Sequence, residues 1–183
     1  MIFHETELPG AYVIDLELLE DERGYNARTW CAREFEQHGL ATQFRQTNTM
    51  LNHRRATLRG MHYQASPYAE NKLFRVTHGA IHDVIVDLRG GSPTYGQWTS
   101  VRLSADVPRM LYVPACFGQG YQTLEDATEV TYQTTEFYTP DHGRGFRYDD
   151  PAFELDWPLP VEVITEKDRS WPDFELEPTA SRS

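Results

Sequence analysis

The sequence predicts an all-β fold, a sandwich or barrel built from many short strands. Three observations carry that expectation. Turn signals recur through the 183 residues, as ERG at 22–24, HGA at 78–80, RGGSPTYG at 89–96, VPACFGQG at 113–120 and TPDHGRG at 139–145. The stretches between them are short and rich in Val, Ile, Leu, Thr and Tyr, residues that suit a pleated, half-buried surface. Only one segment has helical character.

Taken in order, AYVIDLELL from Ala11 is the first strand candidate. CAREFEQHGL, Cys31–Leu40, is the helix, with Phe35 on its apolar side and Gly39 as its C-terminal stop. TLRGMHYQ, Thr57–Gln64, reads as a strand whose Leu58, Gly60, His62 and Gln64 share a face. Gly60 has no side chain, which predicts room beside His62. In AIHDVIVDL, Ala80, His82, Val84, Val86 and Leu88 share a face. SVRLS, RMLYVP and EVTYQTTEFY follow, and in the last of these Val130, Tyr132, Thr134, Glu136 and Tyr138 lie on one side. From Trp171 onward the chain is rich in Pro, Glu and Ser, so residues 172–183 are expected to be extended or frayed. No repeat or linker divides the chain, and residues 1–183 are expected to form one domain.

Composition narrows the function. Hydrophobic residues at 39% and charged residues at 25% are those of an ordinary globular chain. The formal net charge of -11 disfavours nucleic acid and anionic membranes, both of which reward a basic face. An anionic small molecule stays open wherever basic residues cluster. Cys31 and Cys116 support neither a disulfide framework nor a metal site and fit a reducing compartment. The N-terminal MIFHETELPG has no signal-peptide character, and no apolar run approaches the roughly 20 residues of a bilayer span. The expectation is a cytoplasmic protein with no nucleic-acid or membrane partner. Of the 17 basic residues only Lys72 and Lys167 are lysines, so each has a raised chance of a specific task, with leftover surface charge as the equal alternative.

A histidine and tyrosines aimed into one barrel interior could serve as base and acid; the plain alternative is two core residues with satisfied hydrogen bonds. No metal is expected. His62 lacks a second histidine two residues on, and His78 and His82 would lie roughly 13 Å apart along a strand at ~3.3 Å per residue. No nucleophile elbow, phosphate loop or dinucleotide fingerprint occurs, and no cofactor is expected.

Six segments in order carry a family resemblance: DERG, TLRGMHYQ, AENKLFRVTHGAIHDVIVDLRGGSPTYGQW, RMLYVPACFGQGYQTLED, EVTYQTTEFYTP and FRYDDPAFELDWP. With ETELPGAYVI before them and ITEKDRSWPDF after, they cover nearly the whole chain. The chain resembles the dTDP-4-dehydrorhamnose 3,5-epimerases, jelly-roll (cupin-type) enzymes of nucleotide-sugar biosynthesis. The resemblance implies that His62, in the RG-x-H motif, is the base that removes a proton α to the C4 carbonyl of a 4-keto-6-deoxy sugar. Imidazole titrates near 6.5 and suits that work at neutral pH. It implies Asp168 as the carboxylate partner of His62, with Asp83 as second choice. Tyr132 matches the acid on the opposite face, and Lys72 the cation that stabilises the enolate oxygen. Arg23, Arg59 and Lys167 match contacts to the diphosphate and sugar, and Tyr138 an aromatic that stacks on the base. Gln46, Asn48, Arg28 and Gln119 complete the implied substrate-binding set. The family is usually homodimeric, with its N-terminal segment reaching the neighbour's site, so Arg23 and Arg28 are expected to act in trans.

Departures from the family pattern cluster in these binding positions. After ERG, Asn26 replaces an aromatic and Arg28 a carboxylate. Gln119 stands where a substrate-binding histidine is usual, Gly143 where a glutamate is common, and the loop after Gln46 is one residue longer. The residues leave open a CDP-linked or other nucleotide sugar, inversion at one carbon only, a ketoisomerase, and a non-catalytic jelly roll that binds a sugar nucleotide.

Overall fold

The computed structural model describes residues 1–177. The chain opens with β1 (Ile2–Glu5), β2 (Tyr12–Asp15), β3 (Leu18–Asp21) and β4 (Gly24–Ala27), followed by helix α1 (Ala32–Gln37). Nine strands come next: β5 (Gln46–Asn52), β6 (Leu58–Gln64), β7 (Lys72–His78), β8 (Ala80–Asp87), β9 (Trp98–Ser104), β10 (Arg109–Val113), β11 (Phe117–Thr123), β12 (Thr128–Thr134) and β13 (Gly143–Gly145). A one-turn helix, α2 (Glu166–Arg169), lies near the end. One sheet has the order β1-β2-β10-β7-β12-β5 and the other β13-β6-β11-β8-β9, with β3 and β4 forming a separate hairpin. From β5 onward every connection except β8–β9 passes from one sheet to the other. That is the wrapping of a jelly roll, as the resemblance implies.

Three apolar clusters account for the strand patterns. Between the sheets, Phe74, Val76, Leu111 and Val130 meet Ile81, Ile85, Leu103 and Tyr121. On the outer face of the six-stranded sheet, Phe35 of α1 is buried among Ile14, Leu73, Met110 and Tyr112. Burying a side chain of that size is worth roughly 2–3 kcal/mol and anchors an otherwise short helix. Gly39 ends it with φ at +69°, a value that favours glycine. On the outer face of the five-stranded sheet, Met61, Val84, Val86, Phe146 and Phe153 form the third cluster. So the alternating set of β8 lines the outer face, while Ile81, Asp83 and Ile85 point between the sheets. A strand covered on both faces needs apolar residues on both.

Two strand expectations are corrected. AYVIDLELL is broken, because β2 pairs with β1 and β10 whereas β3, among the described residues, pairs only with β4. EVTYQTTEFY leaves the sheet at Thr134, whose hydroxyl donates to the Glu136 carbonyl at 2.9 Å, so its alternation does not carry through to Tyr138. The C-terminal segment is extended through residue 177, but docked rather than frayed. Phe174 packs on Phe146 and Phe153, and its N–H donates to Asp150 at 2.8 Å. Residues 178–183 of the expected tail lie outside the described residues. No helix among the described residues is long and apolar enough to cross a membrane.

Candidate active site

The site lies between the two sheets, where a cavity of about 240 Å³ is lined by His62, Lys72, Tyr132 and Asp168 together. Its geometry begins with a β-bulge. Along β6, Arg59 pairs with Tyr121 and His62 with Gln119, so three steps on one strand match two on the other. The bulge turns Arg59 and His62 to the same side, into the cavity, and sends Met61 to the outer cluster. Simple alternation, which groups His62 with Leu58 and Gly60, fails here for that reason. Gly60 has φ at +132°, and a Cβ there would meet the Gln119 carbonyl oxygen at 2.9 Å and the Gly120 backbone. The room predicted beside His62 is therefore filled by β11, and glycine is what allows the two strands to approach.

Helix α2 delivers the partner of His62. The Thr165 hydroxyl caps it by accepting the Asp168 N–H at 3.2 Å, and the Leu58 N–H donates to the Val163 carbonyl at 2.8 Å, tying the segment to β6. His62 Nε2 then lies 2.6 Å from Asp168 Oδ1. An ionised carboxylate can only accept, so Nε2 carries a proton, and in the neutral imidazole Nδ1 is then the nitrogen with the free lone pair. Burial pushes the Asp168 carboxyl up, but the His62 hydrogen bond and charge, the Gly60 N–H and the Thr165 hydroxyl outweigh it and hold the group below the usual carboxylate range. Asp83, the second choice as partner, is engaged elsewhere: Gln119 Nε2 donates to both its oxygens, at 3.1 and 3.0 Å.

The opposing wall comes from the six-stranded sheet. Tyr132 stacks on Phe74 with ring centres 4.9 Å apart. Burial and the nearby Glu70 carboxylate raise its phenol, keeping it protonated. Lys72 is buried, which lowers its ammonium, while Glu70 and Asp83 work in the other direction. Glu70 Oε1 lies 3.7 Å from Lys72 Nζ and a second Glu70 oxygen accepts from Gln64 Nε2 at 3.1 Å. Glu70 itself is raised, mainly by burial. The sequence reading missed Glu70; its one signal was a carboxylate two residues from a rare lysine.

The remaining expected residues divide. Arg59, Gln119, Tyr138 and Lys167 line the cavity. Arg59 Nε donates to Asn52 Oδ1 at 2.7 Å, and Lys167 Nζ sits 5.6 Å from the ring centre of Trp171, a cavity residue the sequence reading also missed. Gln46 and Asn48 do not reach the cavity wall. Gln46 Oε1 accepts the Tyr138 N–H at 2.6 Å and so positions the loop that carries Tyr138; Asn48 sits on β5 opposite Tyr132. Arg23 and Arg28 are also outside this chain's cavity. They belong to the β3–β4 hairpin and its exit, where Arg23 pairs with Asp21 and Arg28 with Glu34.

This arrangement sets an imidazole held by a carboxylate on one wall against a phenol and an ammonium on the other. Comparison with known proteins gives it a family. The model of dTDP-4-dehydrorhamnose 3,5-epimerase matches residues 5–175. The chain belongs to the dTDP-4-dehydrorhamnose 3,5-epimerase family. It is 41% identical over 179 residues to the dTDP-4-dehydrorhamnose 3,5-epimerase of Methanothermobacter thermautotrophicus, covering 96% of each chain. It is 39% identical over 169 residues to that of Pseudomonas aeruginosa, covering 91% of this chain and 92% of the relative. Among solved structures, the enzyme of Bacillus anthracis with TDP and PPi bound superposes with a TM-score of 0.91 at 37% identity, covering 94% of this chain and 99% of that one. A 3'-monoepimerase from Streptomyces bikiniensis in complex with dTDP-quinovose matches with a TM-score of 0.86 at 29% identity, over 93% and 86%. The chain is thus an isomerase-class epimerase with a cupin-type fold.

Proposed function

We propose that this epimerase inverts C3, or C3 and C5, of a dTDP-linked 4-keto-6-deoxyhexose by proton transfer through an enolate. The observation that carries the reading is the facing arrangement of the His62–Asp168 pair on one wall and Tyr132 with Lys72 on the other. His62 Nδ1 takes the proton from the carbon α to the C4 carbonyl, and the electron pair moves onto the carbonyl oxygen. Lys72, itself buried, supports that oxygen as its charge develops, and one such donor is worth several kcal/mol. Tyr132 returns a proton from the other face, and solvent restores both groups. Arg59 and Lys167 are the cations for the diphosphate, and Tyr138, more than half exposed, is the stacking surface for the base.

In this reading the chain works as one unit in the cytoplasm and as a homodimer, whose β3–β4 hairpin brings Arg23 and Arg28 to the partner's cavity. The bound TDP and dTDP-quinovose of the relatives support a nucleotide sugar as substrate.

Proton NMR with dTDP-4-keto-6-deoxyglucose in D2O tests the reading. Deuterium at C3 and C5 marks a double epimerase, and deuterium at C3 alone a 3-epimerase. Tyr132→Phe is expected to lower turnover about 10²–10³-fold while leaving binding intact. Absence of exchange at either carbon would sink the reading for dTDP sugars and turn the search to CDP-linked ones.

A further inference from the structure

Asp83 sits on β8, between β11 and the edge strand β9, fully buried, and points between the sheets. Among the described residues its one side-chain donor is Gln119, a neutral amide whose single Nε2 spans both carboxyl oxygens at 3.1 and 3.0 Å. Gln119 is itself only 4% exposed, and its Oε1 is buried with no hydrogen-bond partner. As an ionised pair this arrangement leaves two faults: a buried carboxylate with one neutral donor, and a buried amide oxygen with none. Each is costly away from water. One proton removes both. A carboxylic acid donates its O–H to the amide oxygen while the amide N–H donates to the acid's other oxygen, giving two bonds in a closed ring.

We propose that Asp83 is carried as a neutral carboxylic acid in a reciprocal hydrogen-bonded pair with Gln119, making the pair an uncharged positioning unit in the wall opposite Lys72. The ionisable groups around it leave room for this state. Across the sandwich, β7 offers Lys72, which makes its ion pair with Glu70. On β11 the register partner of Asp83 is Tyr121, whose hydroxyl donates to Asn52 at 3.3 Å and whose own titration is pushed up to about 12 by burial. On β9 the register partner is Val101, which carries no charge. His62 and Arg59 lie one strand further off, committed to Asp168 and Asn52. Burial pushes the Asp83 carboxyl up to about 7, with Gln119 and Lys72 offsetting only part of it. A histidine in place of Gln119 would instead take the proton and leave an imidazolium–carboxylate pair, so glutamine at this position removes the separated charges from the wall while its net charge stays the same.

The consequence for catalysis rests on the reading of Lys72 as the support for the enolate oxygen. A neutral Asp83 leaves Glu70 as the counter-charge to Lys72, whereas an ionised Asp83 competes with the developing enolate. The rate should therefore fall as Asp83 loses its proton.

Infrared spectroscopy of the ligand-free protein, with and without aspartate labelled with 13C at the side-chain carboxyl, is the test. At pH 6 we expect a protonated-carboxyl C=O band that shifts with the label, fades through the neutral range and is missing from Asp83→Asn. Gln119→His should lose the band at pH 7 and also loses the alkaline limb of kcat/KM that accompanies its disappearance in the native protein. A band insensitive to aspartate labelling would assign the proton to Glu70 and overturn the proposal. So would no band at pH 6, or a band that survives in Asp83→Asn or, should that variant not fold, in Gln119→His. If the band behaves as stated but no sugar nucleotide is turned over, the proposed function fails and the neutral pair stands.

Discussion

His62 and Gln119 face each other across the pairing of β6 and β11, and each is backed by a buried aspartate. The two aspartates nonetheless move in opposite directions. Asp168 is held below the ordinary carboxylate range despite its burial, while Asp83 is pushed up to about 7. The difference lies in the partners. Asp168 has an imidazole able to hold positive charge, a backbone N–H and a capping hydroxyl, all of which favour its charged form. Asp83 has one neutral amide, deeper burial, and a lysine across the sandwich, Lys72, that offsets only part of that burial. Two carboxylates in similar places thus become a charged orienting group and a neutral spacer, because one neighbour can share a proton and the other cannot.

That contrast can be broken from its stronger side first. His62→Ala should lower turnover about 10³-fold, the scale of losing a positioned general base, with deuterium incorporation at C3 and C5 as the readout. Asp168→Asn keeps the shape but removes the charge that holds the proton on Nε2, and a loss of about 10²-fold in kcat with little change in KM is expected. Equal losses in kcat for Asp168→Asn and Asp83→Asn would contradict the division of roles. Arg59→Ala, which touches neither aspartate, should instead raise KM by about 10-fold through loss of a charged hydrogen-bond donor to the substrate.

The smallest effect lies in stability against pH, where the two aspartates have opposite signs. Asp168 has a lowered folded pKa, so its contribution is present above the ordinary carboxylate range and is lost as pH falls through the folded value. Asp83 has a raised one. Between its unfolded value near 4 and its folded value of about 7 the native state binds more protons than the unfolded chain, so stability declines as pH rises across that window and is level above it. Urea unfolding at pH 5 and pH 8 should show the decline in the native protein and a flatter profile in Asp83→Asn. A steeper decline in the variant would remove the assignment.

Much of this was legible from the sequence. The turn spacing pointed to an all-β fold, Phe35 and Gly39 to the one substantial helix, and the scarcity of lysine to Lys72 and Lys167, both of which line the cavity. Arg59 was matched as a contact by resemblance, yet period-two alternation put it on the wrong side from His62, since one extra residue at Gly60 reverses every face beyond it. Trp171 gave no pattern to follow and Glu70 only its place two residues before Lys72, since each enters the cavity from outside a regular strand.

What the sequence determined by itself was local: which stretches extend, where they turn, and which residue types were available as base, acid and cation. These follow from side-chain sterics and from chemistry carried by single residues. The tertiary structure decided the pairings. His62 meets Asp168 across 106 positions and Gln119 meets Asp83 across 36, and whether an aspartate is charged depends on burial and on the neighbour brought to it, neither of which a linear spacing contains.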